Sequence, residues 1–253
     1  MKLLLPLLAV LLAAPLRAEP AASGTNETET AWTGTAVNSE GKTIAKISVD
    51  TSQAADLAAW GKHAGELCVE WYPKIAALLA SDGFIPPDNV KLRFRDGRGV
   101  AATGGNVITI NAKFVRSNTN DWGMVIHELT HVIQSYPGGR NPGWVVEGVA
   151  DYIRLTHFEP QARRPRPNPE KASYQDAYKT TAIFFEWVEK THDAQLIKKL
   201  NRVAREGSFQ IELFKEYTGR TIDELWQEYL ASLSPGPNSS SGSNTPVRPA
   251  SKE

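Results

Sequence analysis

The stretch VIHELTHVIQ, residues 125–134, places Glu128 directly after His127 and a second histidine, His131, four residues after the first. On an α-helix, residues four apart lie about 40° apart on one face, so both imidazoles can reach a single ion. Glu128 lies about 100° around the helix from His127, where its carboxylate can reach a water molecule at that ion. The spacing therefore predicts a metal-binding helix over 121–136 that carries its own general base.

The same helix has an apolar stripe that can seat it on a core. Val125, Leu129, Val132 and Tyr136 follow helical spacing on one side. Gly123 lies four residues before His127, and a glycine there costs a helix roughly 1 kcal/mol relative to alanine. Either substrate access or close helix packing would account for a glycine at this position.

A hydrolytic zinc site uses three protein ligands and keeps one position open for water. One arrangement takes a third histidine from the pattern H-E-x-x-H-x-x-G-x-x-H. Here Gln134 and Pro137 occupy the places of that glycine and that histidine, which excludes this arrangement.

The stretch NPGWVVEGVADYIR, residues 141–154, supplies a carboxylate instead. Asn141 is a suitable helix cap and Pro142 a suitable first-turn residue for a helix over 144–158. Glu147 and Asp151 then share one face of that helix. Glu147 is the candidate third zinc ligand, and Asp151 is the candidate acceptor for the outer N–H of a liganding histidine.

The remaining elements predict an α+β fold, in which a small sheet with its helix precedes a helical half. Alternating or branched apolar residues predict strands over 42–50, 90–94 and 106–115, the last two joined by the glycine-rich loop RDGRGVAATGG. Helical periodicity predicts helices over 53–80, 121–136, 144–158, 173–191, 193–204, 208–217 and 221–232.

The ends of the chain have a different composition. Residues 1–18 combine Lys2, a short apolar run and a small-residue end, and predict a signal peptide. Residues 19–41 are predicted to be a flexible segment, 42–233 the folded domain, and 234–253 a disordered tail rich in Ser, Pro and Gly. The protein is therefore expected to be secreted, either outside the cell or into a periplasm.

The 28 basic and 28 acidic residues give a formal charge of zero. This balance gives no support for a nucleic-acid or membrane partner, and we expect a monomer. Cys68 is the only cysteine, so an intramolecular disulfide is excluded, and its apolar helical surroundings predict a buried thiol.

At these residues the sequence resembles the gluzincin metallopeptidases, and more narrowly the plant basic secretory protein family and its bacterial relatives. The resemblance is densest over GVAATGGNVITINAKFV, VIHELTHVIQ, PGWVVEGVADYIR, YQDAYKTTAIFFEWV and TIDELWQEYL. It implies one zinc ion held by His127, His131 and Glu147, with Glu128 as general base on the water at the zinc. It also implies a small mixed sheet with an edge strand above the active-site helix, followed by a mainly helical half. The chain departs from the plant family in charge, because it is not basic.

The resemblance further implies a tyrosine or histidine that stabilises the oxyanion. Tyr178 is the first candidate, Tyr174 the second and His157 the third. Gluzincins also pair an edge strand with an extended peptide, and 106–115 is the candidate strand. Asn111 and Ala112 are then the candidate substrate-binding residues.

Three hypotheses follow. The first is a secreted zinc metallopeptidase that hydrolyses peptides or proteins, and the presence of Glu128 favours it, because a purely structural site needs no base. The second is a secreted binding or defence protein on the same scaffold with little turnover. The third is a secreted domain whose histidines bind no metal. The absence of a recognisable motif for a substrate α-amine favours internal cleavage.

Overall fold

The computed structural model describes residues 31–233, which form a mixed sheet followed by helices. The strands are β1 (Ala31–Val37), β2 (Thr43–Asp50), β3 (Asn89–Arg95), β4 (Ala101–Gly104) and β5 (Val107–Asn111). The helices are α1 (Ala58–Leu78), α2 (Ala112–Ser117), α3 (Trp122–Gln134), α4 (Gly143–Ile153), α5 (Tyr178–Thr191), α6 (Leu196–Glu206), α7 (Leu213–Thr218) and α8 (Ile222–Leu233). Short 3-10 turns occupy Ala55–Leu57 and Tyr174–Asp176, and a π-helical turn occupies Arg154–Phe158.

The sheet has the strand order β1-β2-β3-β5-β4. The three central strands β2, β3 and β5 are parallel, and the two outer strands pair antiparallel to their neighbours. The central strands alternate buried and exposed residues, and Ile47, Leu92 and Ile110 are fully buried. Helix α1 connects β2 to β3 and packs against β1 and β2, while α3 packs against β4 and β5. The sheet therefore supports the helix that carries both histidines of the motif.

Two strands lie where the sequence predicted none. β1 falls within the segment 19–41 that was expected to be flexible, and β4 falls within the glycine-rich loop. Both are outer strands with many small or polar residues, so their patterns carry little apolar signal. Residues 19–30, the predicted signal peptide and the predicted tail from 234 onward lie outside the described residues.

The predicted strand over 106–115 is too long. β5 ends at Asn111, whose side chain accepts a hydrogen bond from Lys113 N and caps α2. The cap turns the chain into a helix although the apolar residues continue.

Arg205 of α6 forms hydrogen bonds with the ends of α1 and α3, the two helices that pack on the sheet. Its guanidinium donates to the carbonyls of Leu79 (3.0 Å), Ile133 (3.1 Å) and Gln134 (3.2 Å). These carbonyls lie at the carboxyl ends of α1 and α3, where helical carbonyls have no partner within the helix. One side chain thus joins three helices.

Cys68 lies fully buried in α1, as its surroundings predicted. Burial raises the pKa of the thiol to about 12, so it remains protonated and unreactive at neutral pH.

Within residues 31–233, no helix combines the length and the apolar character that a membrane crossing requires.

Candidate metal centre

Helix α3 begins at a well-defined cap. The Asp121 carboxylate accepts a hydrogen bond from Met124 N at 3.2 Å, which satisfies one of the free amides of the first turn. The helix is deeply buried, so His127 and Glu128 are only 8% and 6% exposed. It ends at Gln134, where the left-handed backbone of the next residue, Ser135 (φ 46°), terminates the helix one turn beyond His131. Burial and capping fix the positions from which the side chains project.

The structure brings the three predicted ligands together. His127 Nε2 lies 3.0 Å from His131 Nε2, and Glu147 Oε2 lies 3.0 Å from His127 Nε2 and 3.3 Å from His131 Nε2. All three ligand atoms lie within 4.8 Å of one another. Glu147 reaches the histidines because α4 packs against α3 after the loop 137–142. Asn141 does not cap α4 as predicted; Pro142 takes that position, and Asn141 Nδ2 donates to the carbonyl of Ala204 at 2.8 Å.

Each histidine is oriented by a partner on its outer nitrogen. Asp151 Oδ1 lies 2.8 Å from His127 Nδ1, as the sequence predicted. Gln134 Oε1 lies 2.7 Å from His131 Nδ1, and the Gln134 amide nitrogen donates to the Val146 carbonyl at 3.0 Å. Both partners accept, so each Nδ1 carries the hydrogen and each Nε2 presents its lone pair to the centre.

Gln134 was not predicted as a functional residue, because its position only served to exclude the pattern with three histidines. Its spacing of three residues from His131 is the signal that could have identified it, since such residues are neighbours on a helix.

The pKa shifts of His127 and Glu147 favour positive charge at the centre. Burial lowers the pKa of His127, but its hydrogen bonds to Asp151 and Glu147 outweigh burial and raise it overall. Burial raises the pKa of Glu147, and its contacts with His127 and His131 outweigh burial and lower it. Both shifts favour positive charge next to the Glu147 carboxylate, which a proton on His127 supplies in the free site and a metal ion would supply in its place. A set of two imidazoles and one carboxylate fits zinc.

Glu128 projects from the same helix and is held by the sheet. The Thr103 hydroxyl lies 2.6 Å from Glu128 Oε2 and 3.1 Å from the Glu128 carbonyl oxygen. Its single hydrogen is donated to the nearer carboxylate oxygen. No local sequence pattern predicts this contact, because the two residues are 25 positions apart.

Of the three candidates for the oxyanion residue, Tyr178 lies at the centre. Its ring stacks on that of His127 with centroids 6.1 Å apart, and the residue is 55% exposed to the cleft. Tyr174 is 9% exposed and packs against Trp144, away from the cleft lining. His157 is also absent from the lining and packs against Tyr152.

The predicted continuous helix over 173–191 is broken between the two tyrosines. Ser173 and Asp176 form a capping box around the 3-10 turn. Ala177 and Tyr178 then take positive φ angles of 62° and 47°, and α5 starts only at Tyr178. Such angles are costly for residues other than glycine, and this break turns Tyr178 toward the histidines.

The prediction that residues 106–115 form the edge strand is wrong. β5 lies between β3 and β4, and the edge next to the site is β4. Ala112 is fully buried. The Asn111 amide donates to the carbonyls of Gly97 (3.0 Å) and Gly99 (2.6 Å), so it holds the preceding loop and does not line the cleft.

Gly123 is explained by close packing. A Cβ at this position would lie 2.2 Å from Arg154 Nε and 2.4 Å from Glu159 Oε1. Arg154 pairs with Asp121 at 2.8 Å and with Glu159 at 2.9 Å. The ion pairs thus tie the end of α4 to the cap of α3.

The candidate ligands open into a cleft of about 1420 Å³. Its walls come from β4 and its flanking loops, from α3 and α4, and from the turn that carries Tyr178. The cleft runs beside the free edge of the sheet, so an extended chain placed there would lie next to both the ligands and Glu128.

Comparisons with known proteins agree with this geometry. The crystal structure of the M1 zinc metallopeptidase from Deinococcus radiodurans matches with a TM-score of 0.51 at 16% identity, over 81% of this chain and 53% of that chain. A mutant of a two-domain M1 zinc metallopeptidase bound to L-tryptophan matches with a TM-score of 0.52 at 16% identity, over 79% of this chain and 51% of that chain. The chain spans about half the length of these structures, and at this identity the likeness shows the shared gluzincin-type α+β fold.

No curated protein has significant sequence similarity to the chain. The model of a family described as a peptidase of plants and bacteria matches residues 74–229. That range covers more than half of the chain and includes β4, both motif helices and Tyr178. The protein therefore belongs to this family of peptidases of plants and bacteria.

Proposed function

We propose that the protein is a zinc-dependent metallopeptidase in which His127, His131 and Glu147 bind one zinc ion. The observation that carries the proposal is the convergence of their three ligand atoms in a cleft that also contains Glu128. Zinc bound in such a site acts as a Lewis acid and lowers the pKa of water. Membership of a peptidase family supports peptide bonds as the substrate.

Glu128 is the proposed general base. Its carboxylate takes the proton of the attacking water and then delivers it to the amine of the leaving chain, so one residue serves both proton transfers. Its position next to His127 in the sequence places it beside the ligands without competing with them.

Tyr178 is the proposed donor to the oxyanion. A phenol hydroxyl can donate a hydrogen bond to the oxygen on which negative charge develops. The negative charge of Glu147, aided by burial, raises the pKa of Tyr178, which keeps the hydroxyl protonated. The exposure of Tyr178 in the cleft supports this role.

The proposed substrate is an extended segment of a peptide or protein. Edge strands bind such segments through main-chain hydrogen bonds, and the sequence AATG of β4 leaves the edge uncrowded by large side chains.

The decisive experiment measures cleavage of a mixed peptide library by the wild type, by a chelated sample and by a zinc-restored sample. Cleavage is expected to stop on chelation and to return with zinc. Glu128→Ala is expected to bind zinc and to lose at least 100-fold in kcat/KM, since general-base catalysis typically contributes about 10²- to 10⁴-fold. Zinc bound at one ion per chain without cleavage would favour a binding protein on this scaffold. Undiminished cleavage by Glu128→Ala would reject the mechanism.

Secretion is part of the proposal and rests on residues 1–18 alone. Mass spectrometry of the exported protein is expected to show a mature amino terminus close after Ala18. An intact Met1 on protein recovered outside the cell would contradict signal-peptide removal.

A further inference from the structure

We propose that Thr103 is a positioning residue that links the strand on which a peptide substrate lies to the carboxylate of the general base, Glu128. The inference rests on the proposed function and deepens it. It assigns two tasks to one residue of β4, one to its main chain and one to its side chain.

The main-chain task follows from the pairing of β4 with β5. The register pairs Ala101 with Ile110 and Thr103 with Ile108. Just before the strand, Asn111 N donates to the Val100 carbonyl at 3.0 Å. In an antiparallel ladder hydrogen-bonded pairs alternate with non-bonded pairs, so residues 100, 102 and 104 bond to β5.

Residues 101 and 103 therefore turn their N–H and C=O groups away from β5. Because β4 ends the strand order, these groups face the open edge beside the cleft. They are the groups that an added peptide strand would pair with. Thr103 is thus placed to hold substrate through its backbone.

The side-chain task follows from the hydroxyl. Thr103 donates to Glu128 Oε2 at 2.6 Å, a short hydrogen bond typical of a charged acceptor. Thr103 is the only residue of β4, AATG, whose side chain can donate a hydrogen bond. The bond occupies one carboxylate oxygen and leaves Oε1 to exchange a proton with water.

Both tasks share one Cα atom, so a peptide that pairs with β4 also fixes the point from which the hydroxyl reaches Glu128. Orientation of a catalytic group within about 1 Å affects rate by up to about 100-fold. The hydroxyl should therefore contribute to turnover more than to substrate binding.

The test compares Thr103→Val, which removes the hydroxyl at similar volume, with Thr103→Ser, which keeps it. Thr103→Val is expected to lower kcat by about 10- to 100-fold and to change KM less than about threefold. Thr103→Ser is expected to keep kcat within about threefold of the wild type. Zinc content and the thermal midpoint are measured on each variant to confirm that the site and the fold remain.

The matched control is Thr35→Val. Thr35 is an exposed residue of β1, the strand at the opposite edge of the sheet, so the same substitution there should leave kcat and KM unchanged. The inference would be overturned if the kcat of Thr103→Val equalled that of the wild type. It would also be overturned if the substitution changed only KM. A Thr103→Ser variant as impaired as Thr103→Val would also overturn it, since the hydroxyl would then not be the cause.

Crystal structures of the zinc-loaded wild type and Thr103→Val give a readout that does not need turnover. The Glu128 carboxylate is expected to contact residue 103 in the wild type and to rotate away in the variant. An unmoved carboxylate would reject the positioning role even if the wild type cleaves peptides. A displaced carboxylate in a protein that cleaves nothing would support the positioning contact and reject the proposed peptidase activity.

Discussion

At the scale of single residues, the candidate site depends on which nitrogen of each imidazole carries its hydrogen. Asp151 and Gln134 both accept from Nδ1 and so direct both Nε2 atoms toward Glu147. Asp151 is buried at 3% exposure, which makes its charge effective on His127. The outer partners are therefore expected to set how tightly the site binds a metal ion.

Asp151→Asn is expected to lower zinc affinity by about 10- to 100-fold, because asparagine brings no negative charge and can present an N–H to Nδ1. Competition with a chromophoric chelator measures the affinity. Asp56→Asn is the control, since Asp56 lies in an exposed ion pair with Arg116. Equal zinc affinity in Asp151→Asn and the wild type would contradict the role of the outer carboxylate.

Single residues also differ in how far the sequence predicts them. Asp151 followed from its spacing to Glu147 on one helix face. Gln134 has a comparable spacing to His131, but a glutamine three residues after a histidine is too common on helices to predict this contact by itself. Thr103 has no local signal at all, because only the folded sheet brings it to Glu128.

At the scale of elements, the geometry between α3 and α4 depends on a close approach at Gly123. Arg154 Nε and Glu159 Oε1 occupy the space that a side chain would fill. Both side chains are held by ion pairs, Arg154 through Nε and Nη2 and Glu159 through Oε2, so moving them aside would disturb these pairs.

Gly123→Ala is expected to lower the free energy of unfolding by about 1–3 kcal/mol, although alanine favours helices by about 1 kcal/mol. Urea denaturation followed by circular dichroism measures it. Gly143→Ala is the control, because a Cβ there meets nothing within 4 Å. A Gly123→Ala protein as stable as the wild type would show that the ion pairs can shift without cost.

The elements that sequence reasoning identified are those with strong apolar periodicity. β2, β3, α3, α4, α6 and α8 were predicted close to their observed positions, because each buries several residues at regular spacing. Helix α7 starts five residues later than predicted and buries only Phe214. β1 has a single buried residue, Ala36, and β4 has none, so neither showed an alternating apolar pattern. Without a signal for β4, the sequence predicted β5 as the edge strand and Asn111 as a substrate-binding residue, a contact that the proposed function assigns to β4.

At the scale of the whole molecule, Arg205 of α6 connects helices that are far apart in the sequence, α1 and α3. It satisfies carbonyls at the ends of both α1 and α3 from a position on α6. Removal of the guanidinium would leave the Ile133 and Gln134 carbonyls without this partner, and each unpaired carbonyl costs roughly 1–3 kcal/mol. The Leu79 carbonyl would keep a hydrogen bond from Asn201 Nδ2 at 3.0 Å.

Arg205→Met is expected to lower the free energy of unfolding by about 2–4 kcal/mol and to leave a single cooperative transition. Chemical denaturation followed by fluorescence and by circular dichroism tests both parts. Arg202→Met on the same helix is the control; its side chain is 62% exposed, so a change within about 0.5 kcal/mol is expected. Equal losses in the two variants would show that Arg205 has no special role.

The three-helix contact of Arg205 limits how far the protein can be shortened. All proposed ligands, the base and Tyr178 precede residue 179. A form truncated between residue 179 and α6 would therefore still contain every residue proposed for catalysis. Such a form would lack the guanidinium that stabilises the far end of the histidine helix. A stable minimal fragment is therefore expected to extend through α6, even though that helix supplies no group to the proposed chemistry.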